Sequence, residues 1–209
     1  DFSYGVALAK TAGRLVLRLA NADIIPVDFS SFYKTVAEYT TEVKSMADQM
    51  RTDTELENKL ISENLFDLAR DPKLPYTAPA KKETVPYLNF SDLDNELAEL
   101  KNKSESFKAL GNRMERLSAD DKVRVNEILY KAERKLLAEK GLPRRPWWRH
   151  QIYAPGYYTG YGVKTLPGVR EGIEERNWKE AQDNIDILAN TLRSYTAEIS
   201  KAIDLLDQK

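Results

Sequence analysis

The residues of this sequence that could bind a ligand or support catalysis are concentrated in one segment, 141–162, GLPRRPWWRHQIYAPGYYTGYG. An imidazole can act as a general base or a metal ligand, and arginines beside aromatic rings can bind nucleic acid by charge and stacking. The prolines prevent a helix, and so many aromatic side chains are unfavourable in water. We therefore predict an ordered wall of a site or interface. Its residues are Trp147, Trp148, Arg149, His150, Tyr153 and Pro155.

Catalysis by this chain alone is not indicated. His150 is the only histidine and cysteine is absent, so a zinc site would lack both a second imidazole and a thiolate. No HExxH, G-x-S-x-G, P-loop or G-x-G-x-x-G motif is present. The simplest interpretation of His150 is a loop histidine held by packing and hydrogen bonds. We expect no catalytic residue, no metal ligand and no cofactor in this chain.

Nucleic acid is not an expected partner either. Arg144, Arg145 and Arg149 alternate with tryptophans, but the net charge is −1 and no other part of the chain is basic enough. Arginines stacked on aromatic rings within a folded loop explain the same pattern. No apolar run approaches the roughly 18 residues of a membrane-spanning helix, and no signal peptide is visible.

Four segments with an apolar period near 3.5 must hold this loop in place. They lie at 28–50, 93–114, 125–136 and 177–207, and the last is the most regular. A stripe of this period suits helices packed about 20° from parallel, and no convincing run alternates with period two. The predicted fold class is all-α: an antiparallel four-helix bundle with a long aromatic and proline-rich loop before the last helix.

The ends of these helices carry signals of their own. Side chains that can accept hydrogen bonds from free backbone N–H groups precede the helices, and a Gly-Pro pair is expected to stop the third. The expected caps are Asp28 or Ser30 for the first helix, Ser91 or Asp92 for the second and Asn177 for the fourth, with Gly141 and Pro143 at the end of the third.

Two regions lie outside the bundle pattern. Residues 1–21 contain a short apolar helix, and residues 51–88 mix one weak helix with a segment of four prolines. The second region is predicted to be an irregular surface insertion. The chain begins at Asp1 without a methionine, which is typical of an excised fragment or a processed product.

The run GLPRRPWWRHQIYAP, the Pro167-Gly168 pair and the long final helix resemble the C-terminal helical domain of the glutamate carboxypeptidase II and transferrin receptor family. RLVLRLANADIIPVDFSSFYKTVAEYTTEV resembles the passage from the family's last protease-domain helix into its first bundle helix. Fungal or plant vacuolar-type relatives are the better match. The resemblance implies that 1–21 is the end of a protease-like domain and that 22–209 is a transferrin receptor-like dimerisation domain.

The resemblance also implies a function. The domain would be a non-catalytic module for homodimerisation that forms one wall of the parent's substrate cleft. Its partners would be a second copy of itself and the protease-like and apical domains of its own parent chain, without direct membrane contact. The two zinc ions of the family lie in the protease-like domain. The parent would be membrane-anchored, with this domain on the lumenal, vacuolar or extracellular side. The parent's activity stays open: it could be a zinc-dependent carboxypeptidase, an aminopeptidase or a non-catalytic relative.

In the carboxypeptidase the cleft wall includes a lysine-tyrosine pair, which by resemblance falls on Gly160 and Tyr161. The tyrosine is kept and the lysine is not, so the parent need not prefer glutamate. Asn89 and Asn102 lie in sequons for glycosylation, which matter only if the chain is secreted.

The alternative function is a generic helical adaptor that binds partner helices through the bundle surface. For a dimer, the expected surface comprises helices 28–50 and 177–207.

Overall fold

The computed structural model describes residues 2–208, and most of these residues are helical. The all-α fold class is therefore confirmed. In that part of the chain the helices are α1 (Ser3–Ala20), α2 (Phe29–Ser62), α3 (Leu65–Ala69), α4 (Ser91–Ala109), α5 (Gly111–Met114), α6 (Ala119–Ala132), α7 (Pro167–Glu174) and α8 (Trp178–Asp207), with a 3₁₀ turn at Glu133–Leu136 and two strands, β1 (Tyr153–Pro155) and β2 (Val163–Thr165).

The four long helices α2, α4, α6 and α8 enclose one hydrophobic core. Helix α8 lies at its centre and packs against α4, α6 and α7, while α2 packs against α4 and α7. The apolar stripe of α8 predicts this position, because its members recur every three or four residues and are buried. Fully buried core side chains come from several elements: Val36, Val43, Leu93, Leu100, Ile152, Leu166, Ile173, Ile185, Leu188, Leu192, Ile199 and Leu206.

Two of the three expected side-chain caps form. The Asp28 carboxylate accepts hydrogen bonds from the backbone N–H groups of Ser30 and Ser31, and the Asn177 side chain accepts one from Glu180. The expected cap of the second helix is wrong: α4 already begins at Ser91, its N-cap is Phe90, and neither Ser91 nor Asp92 occupies the capping position.

The end of the third helix also differs from its prediction. Helix α6 ends at Ala132 and continues as a 3₁₀ turn to Leu136, before it reaches Gly141. Gly141 instead lies inside the aromatic segment with φ of +68°, and a Cβ there would overlap with the Pro146 carbonyl. The glycine is therefore needed for this turn rather than for a helix stop.

Helix α2 is longer than its apolar stripe predicts, since it continues to Ser62 through the first part of the predicted insertion. The buried stripe contains Ala47, Arg51 and Thr54, so polar residues occupy its last positions. The Arg51 guanidinium donates to the carbonyls of Val85 and Pro86, so the last part of the predicted insertion covers these polar positions. Residues 70–90 contain no helix or strand, in agreement with the predicted irregular segment.

Helix α1 forms where the sequence predicts a short apolar helix, but none of its residues is buried. Its exposed apolar side chains include Tyr4, Val6, Leu8, Val16 and Leu17. An amphipathic helix is normally stable only when its apolar face is covered, and residues 2–208 leave the apolar face of α1 uncovered. Among residues 2–208, no helix combines the length and hydropathy that crossing a bilayer requires.

Candidate functional site

The aromatic segment contains a small β-hairpin that the sequence did not predict. Strands β1 and β2 are antiparallel, with Tyr153 opposite Thr165 and Pro155 opposite Val163. Each strand has only three residues, too few to show an alternating pattern. The loop 156–162 joins them, and it is closed by a hydrogen bond of 2.8 Å from the Gly156 N–H to the Gly162 carbonyl. We call residues 156–162 the hairpin loop.

The hairpin loop carries aromatic side chains into solvent. Tyr161 at its tip is fully exposed and Tyr158 is mostly exposed, while Trp147 in the preceding turn is 71% exposed. By contrast, Ile152 and Ala154 next to them are buried. The backbone of the segment is therefore ordered by its own core contacts, and its rings form a free outer surface. That this surface is the wall of a site or an interface stays a prediction.

Gly160 and Tyr161, the two positions that the resemblance assigns to the cleft wall, lie next to each other at this tip. Gly160 has φ of +58°, which favours glycine, although no atom would contact a Cβ there. A lysine at this position would therefore be strained by its backbone and not by crowding. The absence of lysine at position 160 is therefore consistent with the backbone conformation there, which favours glycine.

His150 is held inside the segment by backbone contacts. Its Nδ1 accepts hydrogen bonds of 3.3 Å from the N–H groups of Ile152 and Tyr153, and its ring lies 4.2 Å from the Tyr153 ring. Burial lowers the pKa of His150, while the Glu133 carboxylate, 3.9 Å from Nε2, opposes that shift. Because Nδ1 accepts two N–H donors, the neutral ring carries its proton on Nε2. This arrangement orders the turn that leads into β1.

Two arginines of the segment take part in ion pairs rather than facing solvent. Arg144, with φ of +60°, binds Glu175 at 2.9 Å and Glu180 at 3.1 Å. Arg144 and Arg145 also approach the Tyr157 ring, at 5.0 and 5.8 Å from its centroid. These contacts match the stacking of arginines on aromatic rings that the sequence favoured over nucleic acid binding.

The Arg145–Glu171 ion pair is the feature of this region that sequence reasoning missed. Its side chains are 3% and 4% exposed, and Arg145 Nη2 lies 3.0 Å from Oε1 and 2.9 Å from Oε2 of Glu171. Only the contact with Oε1 has hydrogen-bond geometry. The same Oε1 accepts a 2.9 Å hydrogen bond from the Tyr157 N–H. The sequence offered one signal for this pair: Glu171 lies between the apolar residues Val169 and Ile173, both of which are buried on α7.

The two sequons have different surroundings. Asn89 precedes α4, and its side-chain oxygen accepts a hydrogen bond of 3.0 Å from the Ser91 N–H. Asn102 lies within α4, exposed to solvent, whereas Ser104 of the same sequon is buried and donates to the Leu100 carbonyl. Both asparagines are on the surface, and their glycosylation stays a prediction.

Residues 2–208 contain no group of three or more histidine or acidic side chains placed to hold a metal ion. The features of this part of the chain are a helical bundle, an uncovered apolar helix and an ordered aromatic loop. Residues 88–200 match the transferrin receptor-like dimerisation domain, which is more than half of the 209 residues. The chain therefore belongs to the transferrin receptor-like dimerisation domain family, as the resemblance predicts.

Curated relatives agree with this assignment. A probable glutamate carboxypeptidase of Arabidopsis thaliana is 28% identical over 200 residues, which are 92% of this chain and 24% of that protein. A probable glutamate carboxypeptidase of Arthroderma benhamiae is 25% identical over 205 residues, 97% of this chain and 24% of that protein. The chain thus spans about a quarter of the length of these relatives.

Proposed function

We propose that this chain is the homodimerisation module of a longer glutamate carboxypeptidase-like protein and also forms one wall of that protein's substrate cleft. The match to the dimerisation domain over residues 88–200 carries the first part of the proposal. The second part rests on the hairpin loop, because its tip presents Tyr161 to solvent from an ordered base.

Helix α1 supports the view that other domains cover this chain. None of its residues is buried, and it precedes the residues that match the family. A segment of this kind is stable when it lies in the core of a neighbouring domain. We assign residues 1–21 to the end of a protease-like domain and residues 22–209 to the dimerisation domain with its insertion.

The parent's chemistry is a further part of the proposal. Residues 2–208 form no group of three or more histidine or acidic side chains that could hold a metal ion. Any two-zinc centre would belong to the parent's protease-like domain, and catalysis by carboxypeptidase or aminopeptidase chemistry would occur there. The parent would be anchored in a membrane, with this module on the lumenal, vacuolar or extracellular side. The relatives' names support the peptidase class, and Gly160 argues against a strict preference for glutamate.

The dimer surface is assigned to the outer faces of α2 and α8. The inner face of α8 is committed to the core, and its outer face carries exposed residues that are mainly polar, such as Asp186, Asn190, Arg193 and Lys201. Such a surface suits an interface that also stays soluble when it is uncovered.

Light scattering across a concentration series tests this assignment. We expect the 209-residue chain to be a dimer whose mass does not change with concentration. Ala197→Arg on the exposed face of α8 should shift it to monomer, because a charge would enter the interface. Val123→Arg on the exposed face of α6 is the matched control and should leave the dimer intact. A dimer that persists in Ala197→Arg and in a second α8 variant, Asn190→Arg, rejects this surface.

Removing residues 141–168 is not a suitable test, because the segment contributes Ile152 and Leu166 to the core. Point changes in the hairpin loop avoid this problem. They probe the cleft wall in the parent without loss of the bundle.

A further inference from the structure

We propose that the buried Arg145–Glu171 ion pair positions the hairpin loop. Glu171 is the residue through which helix α7 fixes the position of the loop relative to the bundle. The inference rests on the proposed function, since it names the residues that hold the cleft wall in place. It concerns a pair of positioning residues that contact the loop backbone and not a substrate.

Helix α7 is a rigid base for this pair. A Cβ at Gly168 would overlap with the Asn184 side chain, and a Cβ at Gly172 would lie 2.7 Å from the Ala181 backbone nitrogen. The two glycines thus let α7 approach α8 closely. Glu171 lies between them on α7, so its position is set by the central helix of the bundle.

Glu171 links this base to the loop through one backbone donor. Other hydrogen bonds of the loop, such as Gly160 N–H to the Gly156 carbonyl and Thr159 Oγ1 to the Gly162 carbonyl, join loop residues to each other. They define the loop's shape but not its place on the bundle. Within residues 2–208, the hydrogen bond from the Tyr157 N–H to Glu171 Oε1 is the bond that joins the loop to α7.

A second ion pair holds a different part of the hairpin. Lys164 on β2 binds Glu174 at 2.7 Å, but both side chains are partly exposed. Lys164 follows the loop and is separated from Gly162 only by Val163. Exposed pairs fix geometry weakly. The buried pair is therefore the stronger constraint on the tip.

Arg145 determines which way the Glu171 carboxylate faces. A buried carboxylate needs a compensating cation, and Arg145 supplies it from the turn that precedes β1. The Nε and Nη1 atoms of Arg145 have no hydrogen-bond partner in the described chain, so the guanidinium is committed to this carboxylate through Nη2 alone. The pair thereby joins three elements: the turn at 144–146, α7 and the hairpin loop.

Two double variants distinguish the loss of the hydrogen-bond acceptor at position 171 from the loss of the two charges. Arg145→Met with Glu171→Gln removes both charges but keeps a side-chain oxygen for the Tyr157 N–H. Arg145→Met with Glu171→Leu removes the charges and the acceptor with similar volume. Amide hydrogen exchange of the 209-residue chain, followed residue by residue by NMR, gives the readout.

We expect the Tyr157 amide to exchange at least tenfold faster in the Leu variant than in the Gln variant, with equal protection of α8 in both. Exchange at Tyr157 that is as slow in both variants as in the unmodified chain overturns the proposal. Where a variant does not fold, the unmodified chain decides: the Tyr157 amide should exchange at least tenfold more slowly than those of Tyr158 and Tyr161, and equal rates overturn the proposal.

The same design separates this inference from the proposed function. Tyr161→Ala leaves the Glu171 acceptor untouched, so it should keep the protection of Tyr157, and its effect on the parent's peptide turnover tests the cleft wall alone. Faster exchange in the Leu variant together with an unchanged parent activity in Tyr161→Ala would support the positioning role of the Arg145–Glu171 pair. The same result would reject the proposal that the hairpin loop forms a wall of the substrate cleft.

Discussion

Gly172 on α7 lies directly against Ala181 on α8: a Cβ at position 172 would stand 2.7 Å from the Ala181 nitrogen and 2.8 Å from its Cα. Both atoms belong to the backbone of the central helix, so neither can move as a side-chain end would. The close approach of these two helices thus depends on the absence of a side chain at residue 172.

Gly172→Ala should therefore destabilise the fold. Alanine favours a helix over glycine by about 1 kcal/mol, but overpacking against backbone costs about 1–3 kcal/mol, so the clash wins. We expect the free energy of unfolding, measured by denaturant titration, to fall. Gly111→Ala on α5 is the control, because a Cβ there meets open space, and it should be neutral or stabilising. A Gly172→Ala variant as stable as the unmodified chain would contradict the close helix approach.

Much of this fold could be predicted from the sequence, because the residues that are buried are the same apolar residues that recur every three or four positions. The stripe of α8 is apolar and regular, so it predicted both the helix and its inner face. Asp28 and Asn177 precede their helices with side chains suited to capping, and both caps form. These features depend on neighbours three or four residues away, which a sequence shows directly.

The features that the sequence concealed depend on distant partners. The last buried positions of α2 are Arg51 and Thr54. Arg51 donates hydrogen bonds to the carbonyls of residues 85 and 86, and Thr54 accepts one from Arg176. Likewise, Glu171 finds its cation 26 residues earlier in the chain. Strands β1 and β2 are too short to leave a pattern. Long-range pairing of polar groups is not encoded in local periodicity.

The stability of the chain should depend on the protonation of His150. Burial lowers its pKa from the ordinary value of about 6.5, so the unfolded state binds the proton more readily than the folded state. The free energy of unfolding then decreases as the pH falls below about 6.5, and this contribution is fully present only above that value. Protonation of Nδ1 would also remove the acceptor for the Ile152 and Tyr153 N–H groups.

His150→Asn is the control for this effect, because its side-chain oxygen can accept backbone N–H donors but does not titrate. Denaturant unfolding at pH 7.5 and pH 5 should show the unmodified chain losing more stability than the variant. The contributions of carboxylates that do not contact His150 are common to both proteins and cancel in the comparison. An equal loss in the two proteins would mean that His150 does not couple folding to pH.

Removing helix α1 should leave the bundle intact. None of its residues is buried, so a chain that begins at Asn21 should unfold within about 0.5 kcal/mol of the full chain. Its exposed apolar face should be lost, which we expect to appear as weaker binding of a hydrophobic dye and less association at high concentration. A loss of stability above about 1 kcal/mol would instead show that α1 packs on the bundle.

The cleft-wall proposal makes a prediction in which stability and activity separate. Tyr161 is fully exposed, so Tyr161→Ala should leave the unfolding free energy within about 0.5 kcal/mol of the unmodified value. In the full-length parent the same change should raise KM for peptide substrates, since the ring would no longer line the cleft. Tyr158→Ala, another exposed loop tyrosine, is the matched control for a change outside the assigned pair.

Gly160→Lys extends this test to specificity. No atom would contact its Cβ, but φ of +58° should cost about 1 kcal/mol of stability, while Gly160→Asn should cost less because asparagine tolerates this backbone region better. The added ammonium would attract a substrate carboxylate, so the parent's kcat/KM for peptides ending in glutamate should rise relative to those ending in alanine. An unchanged ratio, together with an unchanged KM in Tyr161→Ala, would place the hairpin loop away from the substrate.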